Sequence, residues 1–479
     1  MNGPAAIVAL PFVAALLLAA VPDWRLARWL NLGACVVAFV CALALFAAPL
    51  GPRGLLHLDG LNTIFVALTA FVAASTAWFS AGYIASEVES GRLDGPRLRF
   101  YHAMYQLLLG AMLLALLADN LGLMWAAVEL ATVSTVPMVG LYRTPASIEA
   151  AWKFFILCGV GIALALFGTV VLYLAATQVL GPGLDAMTWT SILPVAPQLN
   201  GALLNLAFVF LLVGYGTKAG LAPLHGWLPD AHAEGPTAIS AVLSGLVLNV
   251  ALSALLRTRM VLAGNEDAIA PGPLMIGMGL ASLTLAAFSL WRRRDVKRLF
   301  AWSSIEHMGI ATFAFGLGGV AANYAGLLHM IGHSLTKSAI FFAVGSVAQA
   351  KGSQRIADIS GLTLSHPALG WGLVLMVAAI VGLPPFALFV SEVLIAAETV
   401  ARLPMLTIPL GIGIVVALVA LVTRMQSMCF GTATPDAAPA PRFAAVTALY
   451  AHMALIIWLG LAPPDALVTW LREAARLLG

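Results

Sequence analysis

Residues 211–230 read LLVGYGTKAGLAPLHGWLPD, and residues 381–395 read VGLPPFALFVSEVLI. Each stretch interrupts a long apolar run with glycine and proline, and each carries an ionisable side chain beside the break, Lys218 in the first and Glu392 in the second. In a bilayer, an interrupted helix is tolerated only where the freed backbone groups are buried in protein or line a hydrated cavity. Corresponding breaks in two halves of a chain predict inverted repeats with a transport site at their interface.

The composition around these breaks is that of a membrane protein. Of 479 residues, 61% are hydrophobic and 9% are charged, against about 25% charged in ordinary soluble domains. A soluble chain this apolar would expose large hydrophobic patches, so the solvent must be lipid. The four cysteines lack the spacing of a cluster site or a disulfide framework, and we expect no cofactor.

Apolar runs of roughly 17–25 residues predict an all-α integral membrane fold of about fourteen transmembrane helices. The predicted spans are 3–21, 30–50, 61–82, 101–118, 121–141, 150–177, 201–222, 236–257, 272–291, 297–317, 321–349, 367–400, 404–428 and 444–462. Spans four to eight and nine to thirteen form two five-helix repeats, inverted because each has an odd number of crossings, with broken helices 7 and 12.

Four segments follow from this division. They are N-terminal helices 1–3 (residues 1–100), a first five-helix repeat (101–257), a second repeat (258–428), and a loop, helix 14 and an interfacial tail (429–479). Sixteen basic residues lie in links after odd-numbered spans, and six lie in the even-numbered links or the tail. The odd links are therefore predicted to face the cytoplasm of a bacterial inner membrane, with both termini on the opposite side.

Glu129 lies in the middle of residues 121–140, LGLMWAAVELATVSTVPMVG, an otherwise uncharged span. A charge near the bilayer centre costs at least about 2.5–3.5 kcal/mol, so it requires an explanation. Desolvation favours the neutral acid, which is the property of a proton relay, although a structural ion pair is an alternative. Lys218 could exchange a proton as Glu129 changes state, and the alternative is a lysine that extends to the membrane interface.

Span eleven carries His329, His333 and Lys337 within residues 327–342, LLHMIGHSLTKSAIFF. Their spacing of four residues stacks them on one helix face over about 12 Å. Three titratable groups in line indicate a proton wire. A histidine pair with this spacing can also bind a metal, but no third ligand is nearby in sequence, so we expect no metal.

Other ionisable residues in the predicted spans and links indicate proton conduction less clearly. Glu306 and His307 lie early in span ten, in SSIEHMG, where helix packing explains them about as well as conduction does. His225, Asp230 and His232 follow the first break and are expected to form the polar rim of its cavity.

Several stretches resemble the antiporter-like subunits of respiratory complex I and of the Mrp cation/proton antiporters. They are residues 97–132, 149–169, 216–245, 295–310, 328–345 and 382–392. KAGLAPLHGWLPDAH, residues 218–232, is the most specific of them. SSIEHMG and HSLTKS are similar to the hydrogenase-4 branch of that superfamily, in particular its F subunits.

The resemblance implies roles for individual positions. Glu129 matches the glutamate of the family's fifth helix, and Lys218 matches the lysine of the seventh helix that pairs with it. Lys153 falls where a basic residue is often kept on helix six. Lys337 and the histidines before it match the central hydrophilic axis, and Glu392 matches the ionisable position on helix twelve.

One position departs from the family pattern. In SGLVLNVAL, Asn249 replaces the lysine or histidine that usually bridges the two halves on helix eight. Asparagine cannot titrate, so proton transfer at this point would need water or another residue.

The expected function is a proton-translocating membrane subunit of a complex I-like respiratory assembly of the hydrogenase-4 type. Other membrane subunits would be its partners and supply redox energy, and we expect no nucleic acid partner. Two rivals remain: a secondary Na⁺/H⁺ antiporter subunit with the same helices, and a non-conducting membrane anchor for a soluble partner, such as an inorganic-carbon uptake system.

Overall fold

A computed structural model describes residues 3–437 and 443–479, and the chain is 82% helical. The helices, in chain order, are α1 (Gly3–Ala20), α2 (Trp24–Ala44), α3 (Gly60–Glu89), α4 (Gly95–Leu117), α5 (Leu121–Val139), α6 (Pro145–Leu180), α7 (Trp189–Val195), α8 (Gly201–Lys218), α9 (Trp227–Glu234), α10 (Thr237–Val242), α11 (Leu248–Ala263), α12 (Pro271–Leu290), α13 (Val296–Leu317), α14 (Gly319–Lys351), α15 (Leu362–Ser365), α16 (Pro367–Ile380), α17 (Ala387–Arg402), α18 (Thr407–Cys429), α19 (Phe443–Leu461) and α20 (Asp465–Leu477). A π-helical turn, Leu243–Val247, joins α10 to α11. Two antiparallel strands, β1 (Gly51–Arg53) and β2 (Leu56–Leu58), lie in the link between α2 and α3.

Twelve helical segments of the described residues are long and apolar enough to cross a bilayer, and the chain is an integral membrane protein. They occupy twelve of the fourteen predicted spans. The tenth predicted span corresponds to α13, which Lys297, Arg298 and Glu306 make more polar than the others. The twelfth corresponds to α16 and α17, which have 14 and 16 residues and are each short for a crossing. The count of fourteen crossings remains a prediction.

Both predicted interruptions are present in the fold. Helix α8 ends at Lys218 and α9 begins at Trp227, while α16 ends at Ile380 and α17 begins at Ala387. Proline has no N–H to continue a helix, and Gly220 adopts a left-handed φ of +77°, so the chain turns between α8 and α9. The Trp227 indole N–H donates to the Thr217 carbonyl across 2.9 Å, which satisfies one of the groups freed by the break.

The links between helices gather on two opposite faces, as alternate crossings require. On one face, which we call the odd-link face, lie links that follow odd-numbered predicted spans. There the link after α12 meets the link after α14, and the Val296 N–H donates to the Gln354 carbonyl across 3.0 Å. On the other face, which we call the even-link face, three links that follow even-numbered predicted spans meet. The Asp119 N–H donates to the Leu55 carbonyl, and the Trp189 N–H donates to the Asp119 carbonyl.

The interior of the bundle is formed by the α10–α11 segment and by α14. The most apolar windows of both segments are completely buried, whereas those of α2 and α18 are only 28% buried and present most of their surface outward. Helix α14 packs against α13, α16, α17, α19 and α3. Polar side chains on α14 therefore lie within protein and away from lipid.

A buried ion pair joins the first helices to the centre on the even-link face. Asp59 caps the N-terminus of α3 and accepts a hydrogen bond from the Asn62 backbone N–H. The Arg257 guanidinium on α11 contacts the Asp59 carboxylate at 2.5 Å, and it also lies 4.4 Å from the centre of the Trp189 ring. This contact ties the start of α3 to α11 and to the link before α8.

The C-terminal tail forms the amphipathic helix α20 and docks on the chain itself. Leu471, Ala474 and Ala475 are buried against α3 and α14. The Leu478 carbonyl accepts a hydrogen bond from the Arg259 guanidinium at 2.7 Å. Part of the predicted loop before helix 14, residues 438–442, lies outside the described residues.

Candidate functional site

The first predicted pair comes together where α8 breaks. The Lys218 ammonium lies 3.9 Å from a Glu129 carboxylate oxygen and donates a hydrogen bond to the Thr132 hydroxyl, one turn further along α5. The Lys218 side chain is 2% exposed and Glu129 is 25% exposed, so the lysine points into the protein and not to the interface. Phe154 on α6 lies below the ammonium, 5.8 Å from it to the ring centre. Glu129 and Lys218 are therefore neighbours without a direct hydrogen bond.

Lys153 does not join this buried pair. It lies at the surface, 2.7 Å from the Glu149 carboxylate and 3.1 Å from Asp230, and about half of its side chain is exposed. Arg298 also contacts Asp230, at 3.3 Å. The basic residue of helix six thus belongs to a surface ion-pair network on the odd-link face.

The three residues predicted to form a polar rim differ in exposure and partners. Asp230 joins the surface network, and the half-buried His225 ring lies 5.3 Å from that of Trp302. His232 is completely buried, with its ring stacked on Phe341 at 4.9 Å. The prediction for His232 was wrong because α9 turns this side chain inward, toward α14.

Asn249 connects the first broken helix to the centre of the bundle. It lies one residue after Leu248, which packs against Gly220 in the break. Its amide nitrogen donates to the Ser334 hydroxyl at 2.6 Å and to the Met330 carbonyl at 3.2 Å, both on α14. The Ser334 hydroxyl in turn donates to the carbonyl of Gly245, in the π turn. Asn249, which cannot titrate, thus forms a polar contact between α11 and α14.

His329, His333 and Lys337 on α14 all face α13. The Lys337 ammonium donates to the Phe300 carbonyl at 2.7 Å. The His333 ring centre lies 5.7 Å from that of His307, and the His329 Nε2 lies 3.1 Å from the His307 Nδ1. All three are fully buried. The α13–α14 interface therefore holds a buried row of protonatable groups, of which His307 and His329 are hydrogen-bonded to each other.

The second break brings Glu392 to the end of this row. His329 Nδ1 lies 3.0 Å from the hydroxyl of Ser391, the residue before Glu392. The Glu392 carboxylate lies over Gly382 in the break, where a side chain would collide with it. Donor atoms of His307, His329 and Glu392 all lie within 4.8 Å of one another. Glu306 is buried beside them, with a carboxylate oxygen 4.0 Å from the His307 Nε2.

Three contacts at the site were not predicted from the sequence. Thr132, Ser334 and Ser391 are uncharged, and hydroxyls are common in membrane helices, so nothing in their pattern distinguishes them. Glu306 and His307 were recognised, but their alternative as packing residues stayed open, and the fold puts His307 between His329 and His333.

The chain matches a known protein family over more than half of its length. Residues 118–417 match the family described as NADH:quinone oxidoreductase/Mrp antiporter, TM. A hydrogenase-4 component F homolog from Methylacidiphilum infernorum (isolate V4) is 52% identical over 474 residues, which cover 99% of both chains.

Two solved structures share the fold. A chain of the membrane-bound sulfane sulfur reductase, an archaeal respiratory membrane complex, matches with a TM-score of 0.86 at 21% identity, covering 99% of this chain and 97% of that one. A chain of the Mrp complex from Dietzia sp. DQ12-45-1b matches with a TM-score of 0.85 at 18% identity, covering 100% and 98%. The family match and the full-length relative agree: the chain belongs to the NADH:quinone oxidoreductase/Mrp antiporter transmembrane family.

Proposed function

We propose that this chain is the proton-translocating membrane subunit of a complex I-like respiratory assembly of the hydrogenase-4 type. The observation that carries the proposal is the buried row of protonatable side chains along α13 and α14, which ends at Glu392 beside the second break. The name of the full-length relative, hydrogenase-4 component F homolog, supports the type of assembly. The fold shared with a chain of a respiratory membrane complex supports membrane subunits as partners.

The Glu129–Lys218 pair is the input of the proposed mechanism. Opposite charges about 4 Å apart attract by about 4 kcal/mol at an effective dielectric constant of 20. A partner subunit that moves the carboxylate away removes this stabilisation of the ammonium, and Lys218 then releases its proton. Because Glu129 is partly exposed on the bundle surface, a neighbouring subunit can reach it.

The second half receives the proton in this mechanism. Asn249 and Ser334 form a polar contact between α11 and α14, and in this mechanism water carries the proton from Lys218 to the centre because neither side chain titrates. Lys337, His333 and His329 then pass the proton along α14 toward Glu392, with His307 as the neighbour of both histidines. This route needs no redox cofactor in the chain, and the redox energy comes from the partners.

The membrane placement belongs to the same proposal. The basic odd-link face lies at the cytoplasmic side of a bacterial inner membrane, and both termini lie on the other side. Residues 101–257 and 258–428 are the two inverted repeats, each with one broken helix and one ionisable group beside the break.

Proton uptake by proteoliposomes that contain the whole assembly tests the proposal. With the reductant added, Glu129→Gln and Lys218→Gln should abolish proton transport while the subunits still assemble. Glu149→Gln is the matched control, because Glu149 is an exposed carboxylate paired only at the surface. Unchanged transport in both site variants would favour a non-conducting anchor.

The fold shared with a chain of an Mrp complex favours one second candidate, a Na⁺/H⁺ antiporter subunit. The same proteoliposomes distinguish the two. Sodium-dependent proton flux without any reductant supports the antiporter, and flux that requires the reductant supports the respiratory subunit.

A further inference from the structure

A cluster of three metal-ligating side chains forms where α13, α14 and α17 meet. His307, His329 and Glu392 come one from each helix, and their donor atoms lie within 4.8 Å of one another. Among the described residues, this is the one group of three histidine, cysteine or carboxylate donors that close together. The sequence analysis considered only His329 and His333 on α14 as ligands, because His307 and Glu392 lie far from His329 along the chain.

Hydrogen bonds around the cluster decide where His329 carries its proton. The Ser391 hydroxyl donates to the Leu388 carbonyl at 2.8 Å, so its oxygen accepts from the His329 Nδ1–H at 3.0 Å. A neutral His329 then presents a lone pair on Nε2, which faces His307. This is the arrangement of a metal-binding histidine, whose second ring nitrogen donates to a neighbouring oxygen.

His307 can present a second lone pair to the same point. The His307 Nδ1 is the ring nitrogen that faces His329, and without an ion it can donate its hydrogen to the His329 Nε2. The two nitrogens lie 3.1 Å apart, and an ion between them would take the place of that hydrogen. The His307 proton would then reside on Nε2, which lies 4.0 Å from the Glu306 carboxylate, and the Nδ1 lone pair would bind the ion.

The spacing fits a small divalent ion. Tetrahedral zinc with bonds of about 2.0–2.2 Å places its ligand atoms roughly 3.3–3.5 Å apart, close to the separation of the two histidine nitrogens. The Glu392 carboxylate completes a set of two imidazoles and one carboxylate, which leaves the fourth position open. The Glu392 oxygen lies within 4.8 Å of the two histidine nitrogens, so the carboxylate closes the rest of the distance to the ion by moving toward them.

The surroundings also balance the charge of the ion. A buried dication needs anionic partners, and Glu306 and Glu392 together supply two negative charges. Glu306 has a buried carboxylate oxygen without a hydrogen-bond partner in the described chain, and a metal on His307 would draw the Nε2–H toward it.

We propose that His307, His329 and Glu392 form a buried site for a divalent first-row transition ion, best matched by Zn²⁺. The ion occupies the point where a proton would pass between the two histidines. It therefore acts as a reversible block of the proton route, and this consequence, unlike binding itself, rests on the proposed function.

Cobalt binding by the purified full-length chain in detergent tests the site without any transport assay. After chelator treatment, titrated Co²⁺ should bind with a stoichiometry of one, develop the visible absorption of a tetrahedral centre, and be displaced by Zn²⁺. X-ray absorption of the zinc form should report two imidazole nitrogens and one carboxylate oxygen at about 2.0–2.2 Å.

Matched variants locate the ion. His307→Gln, His329→Gln and Glu392→Gln should each weaken Co²⁺ binding at least about 100-fold, and Ser391→Ala about 10–100-fold, as for the loss of a group that orients a ligand. His102→Gln is the control, since His102 is a buried histidine on α4 whose ring nitrogens also lack hydrogen-bond partners in the described chain. The site is overturned if the unaltered chain binds no Co²⁺, or if the three ligand variants bind Co²⁺ as tightly as the unaltered chain does.

Transport then tests the consequence separately. Zn²⁺ should inhibit proton transport by the unaltered assembly, and chelator should restore it. If the unaltered assembly transports no protons, the proposed function fails while the binding data still decide the site. Transport that is insensitive to Zn²⁺ at concentrations that fill the site overturns the block.

Discussion

The Asn249 amide lies 2.6 Å from the Ser334 hydroxyl, and this contact joins the segment after the first break to the central helix α14. The family resemblance implies a titratable side chain at this position, and the chain has asparagine there. Asn249 can position a water molecule but cannot hold a proton, so this contact between α11 and α14 has no titratable group.

Asn249→Leu should therefore reduce proton transport by at least about tenfold. The substitution removes the donor to Ser334 and Met330, and loss of a buried hydrogen bond costs about 1–3 kcal/mol. Asn249→His should retain transport because imidazole can both donate and titrate. Proton uptake in proteoliposomes measures both variants, and equal transport by Asn249→Leu and the unaltered chain would contradict a route through this contact.

Gly382→Ala should disturb the second break. Gly382 has a φ of +68°, which costs a residue with a side chain roughly 1–2 kcal/mol, and the added Cβ would collide with the Glu392 carboxylate. We expect a lower unfolding temperature and impaired transport. Gly411→Ala is the control, because a Cβ there meets no atom within 4 Å. A Gly382→Ala protein as stable and active as the Gly411→Ala protein would show that the carboxylate does not need this position.

Acid should weaken the tie between α3 and α11. Burial alone would raise the pKa of the Asp59 carboxyl, but Arg257, His57 and the Asn62 N–H together hold that pKa well below its usual range. A group with a lowered folded pKa contributes its stability fully at neutral pH and loses it as the pH falls below about 4. The unfolding temperature in detergent should therefore drop over that range, and less so in Asp59→Asn.

Removal of the cation from this pair is a sharper test. Arg257→Met removes the cationic partner of a buried carboxylate, which should cost about 3–5 kcal/mol of the free energy of unfolding. The double variant Asp59→Asn, Arg257→Met should recover much of that loss, because neither charge remains. A double variant no more stable than Arg257→Met would mean that packing, and not charge, explains the effect.

The two lysines of the first half should respond differently to the same substitution. Lys153→Gln breaks an exposed ion pair, and such pairs contribute about 0–1 kcal/mol, so transport and stability should change little. Lys218→Gln removes the buried ammonium beside Glu129 and should abolish transport. Comparable losses in the two variants would place Lys153 in the proton route.

Much of the fold could be predicted because a bilayer imposes simple rules. Span length and glycine–proline breaks located both interruptions, at Lys218 and at Ile380. Charged residues inside apolar runs led directly to Glu129 and Lys218, which lie 3.9 Å apart. The predicted helix ends were less accurate than the predicted breaks. Helix α6 begins at Pro145, five residues before the predicted span, because helices continue into the polar interface beyond the apolar run.

The tertiary neighbours could not be predicted from local pattern. His307 and His329 are 22 residues apart and meet only because α13 and α14 pack side by side. Glu392 reaches them from a third helix. His232 looked like a rim residue by its place in a polar stretch, yet α9 buries it against Phe341. Each case depends on which helix faces which, a property of the packed bundle.

The ratio of protons moved to electrons transferred is the most direct test of the central claim, measured in reductant-energised proteoliposomes with chelator present. Glu392 and Glu398 lie on the same helix, α17, but Glu392 ends the buried row while Glu398 pairs with Arg402 at 2.9 Å. We predict that Glu392→Gln lowers the ratio while electron transfer continues, and that Glu398→Gln leaves the ratio unchanged. An unchanged ratio in Glu392→Gln would contradict proton conduction through this chain.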